Sequence, residues 1–449
     1  MSRNAISGEK QRRRQHGAWY FYDFGNSAYA AVILLAVYSA YFKGQVVGGA
    51  EGSRLWGLAI GSAMLVVAIL SPFLGAMADF AASKKRMLFV FSALSWLFTA
   101  LLFFVQKGNV LMGFLFFVLA EIGYRGAQVF YNALLPEIAS PEEMGPVSSN
   151  GWAIGSIGGV VCLLFILPPI MLTKSNPALN LLAVRGSFAF AALFFALAAL
   201  PTFLWVKERH KGRSLPQGET YLTVAFKRLG NTFKAVRHFS EFLKFIIAFL
   251  IYNDGILMAL DFAAIIGAVL FGMTQTQLIL FMILVQVSSA LGAYLFGLVG
   301  GRIGFKKSLL ISLLMMIAAV AGIIFNPSLT GYYVIGGVAG FALTGVQSIS
   351  RTMTGLFAPE SKSAEFFAFF AVAGKSSSFI GPAAFGLLAA GIAGIFEKRG
   401  IDSILAEQYG TRAGLAAIAI FLIIGLGILL FVNEKRARQA AEDYAAAAD

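Results

Sequence analysis

Apolar runs of roughly 18 to 25 residues recur along the whole chain. Each is long enough to cross about 30 Å of hydrocarbon as a helix. Lipid offers no hydrogen bonds to a backbone, so a spanning segment is a helix or a strand of a closed barrel. Barrel strands would read as shorter segments of alternating polarity, and the sequence has none of that pattern. Hydrophobic residues make up 58% of the chain and charged ones only 13%, against about 25% charged in a soluble domain. An all-α integral membrane protein is therefore expected.

Twelve spans are expected near 19–43, 55–79, 87–105, 109–132, 147–170, 184–206, 242–270, 276–300, 308–325, 331–352, 364–391 and 413–432. They imply a basic N-terminus (1–18), a six-helix bundle (19–206), a linker (207–241), a second six-helix bundle (242–432) and a tail (433–449). The linker's "TYLTVAFKRLGNTFKAVRHFSEFLKF" mixes apolar and basic residues at helical spacing, as an interfacial helix does. No cleavable signal peptide is read, because the segment after the basic start has full span length.

The net charge of +13 invites a nucleic-acid reading, but its distribution argues for topology. With the N-terminus inside, 24 of the 35 Lys and Arg fall on the cytoplasmic side and eight on the other. That bias follows the positive-inside rule, so both termini are expected in the cytoplasm and no nucleic-acid partner is implied. The lone Cys162 excludes an internal disulfide and reads as a small buried hydrophobe. His16, His210 and His238 all fall outside the drawn spans, so no metal site is expected. No cofactor is implied. The sequence has neither a P-loop nor a nucleophile elbow, which argues against ATP-driven pumping and hydrolysis and hence against an enzyme.

The halves echo each other. Gly75 and Gly297 are 222 positions apart, as are Lys85 and Lys307. Pro136-Glu137 and Pro359-Glu360 are 223 apart, as are Gly151 and Gly374. Two echoes at nearly one offset indicate a parallel six-span repeat, an architecture of transporters that rock two halves about a central site. After spans 2 and 8 stand "GAMADFAASKKR" and "GLVGGRIGFKK". They resemble the Gly-x-x-x-Asp-Arg-x-Gly gating loop of the major facilitator superfamily, through Gly75 and Asp79 in the first copy and Gly297, Arg302 and Gly304 in the second. Gly301 replaces the acidic residue in the second copy and Phe80 the arginine in the first. "WYFYDFGNSAY", "YNALLPEIA" and "YNDG" further resemble the autophagy-related vacuolar amino-acid effluxers of fungi and their bacterial relatives. That resemblance implies amino-acid export or a similar metabolite efflux.

Charged groups within spans cost roughly 2.5 kcal/mol or more each on insertion scales, so they face a cavity or a partner. In span 4, Glu121, Arg125, Gln128 and Asn132 stand at i, i+4, i+7 and i+11 and so share one helical face. Glutamate four before arginine is the favourable order for an ion pair. One reading lines a solute path with this stripe and gives Arg125 an anionic group to bind; the other uses the pair only to fix packing. Asp23 and Asn26 lie one turn apart in span 1; Asn253 and Asp254 take a comparable place in span 7, with Asp261 seven further on. These acids are candidate proton sites, and their bland alternative is inter-helix hydrogen bonding. Lys375, deep in span 11, has no acid at i±3 or i±4. Its partner would stand on another helix, with Asp23, Asp254 and Asp261 as candidates.

A secondary transporter of a small polar or zwitterionic solute is therefore expected, working by alternating access, with proton-coupled efflux. Arg125 or Lys375 would take the solute carboxylate and an acid its amine. A lipid flippase or amphiphilic drug exporter of the same fold is the alternative, and a non-transporting membrane scaffold or sensor the alternative of another class. A monomer in the bacterial inner membrane, in contact with membrane lipids, is the expected setting.

Overall fold

A computed structural model describes residues 3–80, 83–208, 239–359 and 363–446, with scattered positions between 220 and 236. The expected interfacial helix of the linker, with His210 and His238, lies largely outside the described residues. The described residues form helices and turns and no strand, and twelve helical stretches have the length and composition to cross a membrane. The helices are α1 (Arg3–Tyr29), α2 (Gly49–Phe80), α3 (Lys84–Leu101), α4 (Val110–Ala133), α5 (Pro141–Leu172) and α6 (Pro177–Trp205). There follow α7 (Ser240–Phe271), α8 (Gln275–Ile303), α9 (Phe305–Phe325), α10 (Leu329–Phe357), α11 (Ser363–Ser377), α12 (Ile380–Lys398), α13 (Ser403–Leu430) and α14 (Glu434–Ala446).

Two expectations about the spans change. The first span begins earlier than expected: the helical stretch runs Gln11–Val47, so His16 lies inside it. His16 Nε2 lies 2.9 Å from the Ile138 carbonyl and Thr202 Oγ1 donates to the Ala18 carbonyl at 2.6 Å, which fixes this basic extension to its bundle. Beyond Tyr29 the winding loosens to π-helix over Ala30–Ala36 and again over Phe42–Val47. Carbonyls near such bulges need outside donors. Gln275 Nε2 serves Ala36 at 2.7 Å, and the Gly108 N–H serves Val46 at 3.0 Å.

The eleventh span is not one helix. It breaks at Ser378-Phe379 into α11 and α12. Pro382 is the cause: its nitrogen cannot donate to the Ser378 carbonyl and its ring crowds that oxygen. In the first turn of a new helix the missing N–H costs nothing. The C-terminal tail is helical as α14, with Ala437 and Ala441 buried. At the start of α5, Ser140 and Glu143 of "SPEE" form a reciprocal capping box.

The chain forms two compact units: Met1–Val47, Ile69–Ala225 and Gln275–Ile279 make one, and Gly48–Ala68, Phe226–Thr274 and Leu280–Asp449 the other. In the first unit, α1 packs on α5 and α6, and α3 on α4 and α6. Glycines let the backbones approach. A Cβ at Gly158 would collide with the Phe24 carbonyl, and one at Gly123 would come within 2.6 Å of the Ser95 nitrogen. In the second unit α7 packs on α13, α12 on α13, and α9 on α10.

One pair of braces appears in both units. At one end of α3, the Glu208 carboxylate accepts the Lys84 and Lys85 N–H groups at 3.2 and 2.7 Å, and Lys85 Nζ donates to the Val206 carbonyl at 2.8 Å. At the other end, Arg185 Nε donates to the Phe103 carbonyl at 2.6 Å. In the second unit Glu434 accepts the Lys306 N–H at 3.2 Å, Lys306 Nζ donates to the Val432 carbonyl at 2.7 Å, and Arg412 Nε to the Ile324 carbonyl at 3.4 Å. Each brace satisfies the orphan groups of a helix terminus with a charge of the favourable sign. The repeat read from the sequence thus recurs in contacts.

Candidate functional site

The polar residues of α1 and α4 meet inside the first unit. Glu121 is fully buried, and Arg125 Nε donates to its Oε1 at 2.7 Å. The pair forms because a helix stacks i and i+4 on one face. The Arg125 side chain is 25% exposed, so one end of the pair is buried and the other reaches open space. Glu121 Oε2 has no hydrogen-bond partner among the described residues. Tyr29 and Tyr124 stack at 4.5 Å beside the pair, and the Arg125 guanidinium lies 5.2 Å from the Tyr124 ring centre. Tyr124 has Arg125, Glu121, Asp23 and Gln128 as polar neighbours, and Tyr29 has Glu121 and Arg125. Helix α1 and the stripe of α4 therefore build one cluster. Gln128 is half-buried, whereas Asn132, last in the stripe, is exposed.

Asp23 is half-buried, with Asn26 as its polar neighbour one turn on. It lies against the bare backbone of α5. A Cβ at Gly155 would stand 2.8 Å from Asp23 Oδ2 and 3.1 Å from Ser27 Oγ. Gly151 and Gly158 continue this glycine face under Trp19 and Phe24. Trp19 is fixed from its other side, stacked on Tyr131 at 4.3 Å with Nε1 donating to the Tyr131 carbonyl at 3.1 Å. In the sequence, "GSIGG" reads as small residues for close helix packing. The spacing of Gly151, Gly155 and Gly158 was the available signal that one α5 face accommodates α1 side chains.

A second polar cluster lies within the second unit. Asn253, Asp254 and Asp261 are all buried on α7. Gln347 Nε2 of α10 donates to Asn253 Oδ1 at 3.1 Å, Tyr252 and Ser350 hydroxyls meet at 2.7 Å, and Trp56 Nε1 donates to the Asp261 carbonyl at 2.9 Å. Lys375 lies on α11, and its side chain, with the acidic partner expected for it, falls outside what the structure describes.

Of the gating-loop residues, Gly75 lies in α2, and the side chain of Asp79 and the surroundings of Gly297 are outside the described residues. Arg302 is exposed at the end of α8. Gly304 joins α8 to α9 with φ of +93°, a conformation that favours glycine. In the first copy Lys84 Nζ reaches the buried Glu137 of "LLPEIA" at 2.5 Å, so the two motifs quoted from the first half contact each other. No group of three or more potential metal ligands occurs among the described residues.

Known proteins fit this architecture. An uncharacterized MFS-type transporter of Bacillus subtilis, YxiO, is 26% identical over 96% of this chain and 98% of its own. Autophagy-related protein 22-1 of Aspergillus niger is 25% identical over 66% of this chain, which spans about half (48%) of that fungal protein. Among solved structures, a bacterial homolog of the human lysosomal transporter Spinster matches with a TM-score of 0.70 at 17% identity, covering 96% of this chain and 98% of that one. A D-xylose-proton symporter matches with a TM-score of 0.64 at 15% identity, covering 96% and 99%. These likenesses show a major facilitator fold. The family model described as vacuole effluxer Atg22 like matches residues 58–442, and the chain belongs to that family of membrane transporters.

Proposed function

We propose that this transporter moves a small zwitterionic, amino-acid-like solute by alternating access between two six-helix bundles, exporting it in a proton-coupled cycle. The observation that carries the reading is the Glu121–Arg125 pair, buried at its acid and open at its arginine. A guanidinium is a planar fork of five donors, and Arg125 gives its Nε–H to Glu121. A solute carboxylate would be recognised by that fork, with Tyr124 and Tyr29 as walls. Asp23, across Tyr124 from the pair, is the proposed proton carrier; Asn253, Asp254, Asp261 and Lys375 are the proposed polar lining of the other half. Gly75, Asp79, Gly297, Arg302 and Gly304 are the proposed gate loops. A bacterial inner membrane location, with both termini cytoplasmic and a monomeric state, completes the proposal.

The test is amino-acid counterflow in proteoliposomes under imposed pH gradients. Arg125→Ala is expected to abolish exchange. Asp23→Asn is expected to keep counterflow and lose pH-driven movement. A folded wild type that moves no amino acid would refute the substrate class. Export of a lipid or amphiphilic drug is the second reading. It is favoured by the pairing of Glu121 with Arg125 and by the tyrosines around the pair.

A further inference from the structure

The second unit holds a cavity of about 220 Å³ at the face where α7 begins, α10 ends and α14 starts. It is separate from both polar clusters. Its walls are Phe239, Ser240, Glu241 and Phe242 from the start of α7, Phe357 from the end of α10, and Arg436, Ala437 and Ala440 from α14. The aromatic side is rigid, since Phe242 packs on Phe366 at 4.4 Å and Phe357 on Phe245 at 5.6 Å. The α14 side offers space because Ala437 and Ala440 are small.

The charges around it are unequal. Glu241 is already engaged: its Oε1 accepts Lys244 Nζ at 2.8 Å and its Oε2 accepts the Asn433 N–H at 2.7 Å. This second bond ties the start of α14 to the start of α7. Arg436 is exposed, and its backbone N–H, not its guanidinium, is what Asn433 Oδ1 accepts at 3.1 Å. The cavity thus presents a cation over an aromatic floor, with its one carboxylate neutralised. It stands where two membrane-spanning helices end, the level at which lipid headgroups lie.

We propose that this cavity binds the phosphate of an anionic glycerophospholipid headgroup, with Arg436 holding the oxyanion and Phe242 and Phe357 receiving the glycerol. An arginine fork suits a phosphate, and an amphipathic headgroup suits a wall half charged and half aromatic. Such a lipid would link α14 to the helix ends of the unit.

Native mass spectrometry of the full chain in detergent tests this, with phosphatidylglycerol, phosphatidylcholine or inorganic phosphate added. Phosphatidylglycerol occupancy is expected to fall about fivefold in Arg436→Gln, the effect of one basic residue on anionic lipid. A comparable fall is expected in Ala440→Trp, which fills the cavity, and none in Lys435→Ala, which lies outside its lining. Phosphatidylglycerol occupancy unchanged in Arg436→Gln and Ala440→Trp overturns the proposal. Equal retention of phosphatidylcholine, lost only in Ala440→Trp, also overturns it, because the occupant would then be an apolar chain. Displacement of phosphatidylglycerol by millimolar inorganic phosphate would assign the same anion site to a free phosphate and overturn the lipid source. Arg436→Gln alters an exposed side chain, so its result stands even if Ala440→Trp fails to fold.

Discussion

Three glycine-to-alanine changes in the first unit should produce three different outcomes from one added methyl group. At Gly155 the new Cβ falls 2.8 Å from Asp23 Oδ2, whereas ordinary contact begins at 3.4 Å, so the carboxylate must move by about 0.6 Å. A short side chain yields by rotation, at a cost of about 0.5–1.5 kcal/mol. Alanine returns about 1 kcal/mol in helix propensity, so stability should change by less than about 1 kcal/mol. At Gly158 the Cβ strikes the Phe24 backbone, with its Cα only 2.7 Å away. No rotamer relieves that contact, and α1 must separate from α5, which overpacking data place at about 1–3 kcal/mol or more. At Gly186 nothing lies within 4 Å, leaving only the propensity gain of about 1 kcal/mol. Denaturant titration in micelles should rank Gly186→Ala above Gly155→Ala above Gly158→Ala, with about 1–3 kcal/mol between the extremes, since the propensity gain is common to all three. In proteoliposomes, Gly155→Ala should alter the pH dependence of transport at nearly wild-type stability, because it displaces Asp23. Gly158→Ala and Gly186→Ala unfolding alike would refute the close approach of α1 and α5, and an unaltered pH profile in Gly155→Ala would refute its role in placing Asp23.

Arg125→Gln should destabilise by about 3–5 kcal/mol by leaving a buried acid without its cation. The double variant Glu121→Gln/Arg125→Gln should recover most of that loss, and thermal denaturation of the three proteins checks both statements. Glu208→Ala and Glu434→Ala should each cost about 0.5–2 kcal/mol, as lost N-terminal caps do, read by the same melts. Glu143, outside the spans and half-buried, accepts the Ser140 backbone N–H, which holds its carboxyl below the ordinary glutamate range, with Arg12 3.4 Å away as a lesser cause. A depressed carboxylate contributes stability that is present above its unfolded value of about 4.5 and lost as pH falls through its folded value. Glu143→Gln should flatten that acid-side loss in thermal melts taken below about pH 4.5, and an unchanged acid limb would remove the cap from the account.

The spans were readable because hydrocarbon thickness sets their length and the backbone must satisfy itself within each one. The Glu121–Arg125 contact was readable for a similar reason: helical periodicity alone brings i and i+4 together, whatever surrounds the helix. The repeat was visible in residue type at Gly75 and Gly297. Pro382 carried the signal for the broken eleventh span, but the apolar run continues across it and masks the break. Other features had no such signal. The braces from Arg185 and Arg412 are side chain to backbone, and carbonyl acceptors are identical at every residue. The π-winding after Tyr29 depends on Gln275, far along the chain, to serve the Ala36 carbonyl. That α1, α4 and α5 gather Asp23, Tyr29, Glu121 and Gly155 depends on which helix faces meet. Local sequence determines what a helix carries on each face, and only packing decides which faces close on one another, because that choice is made by complementary shape summed over whole helices.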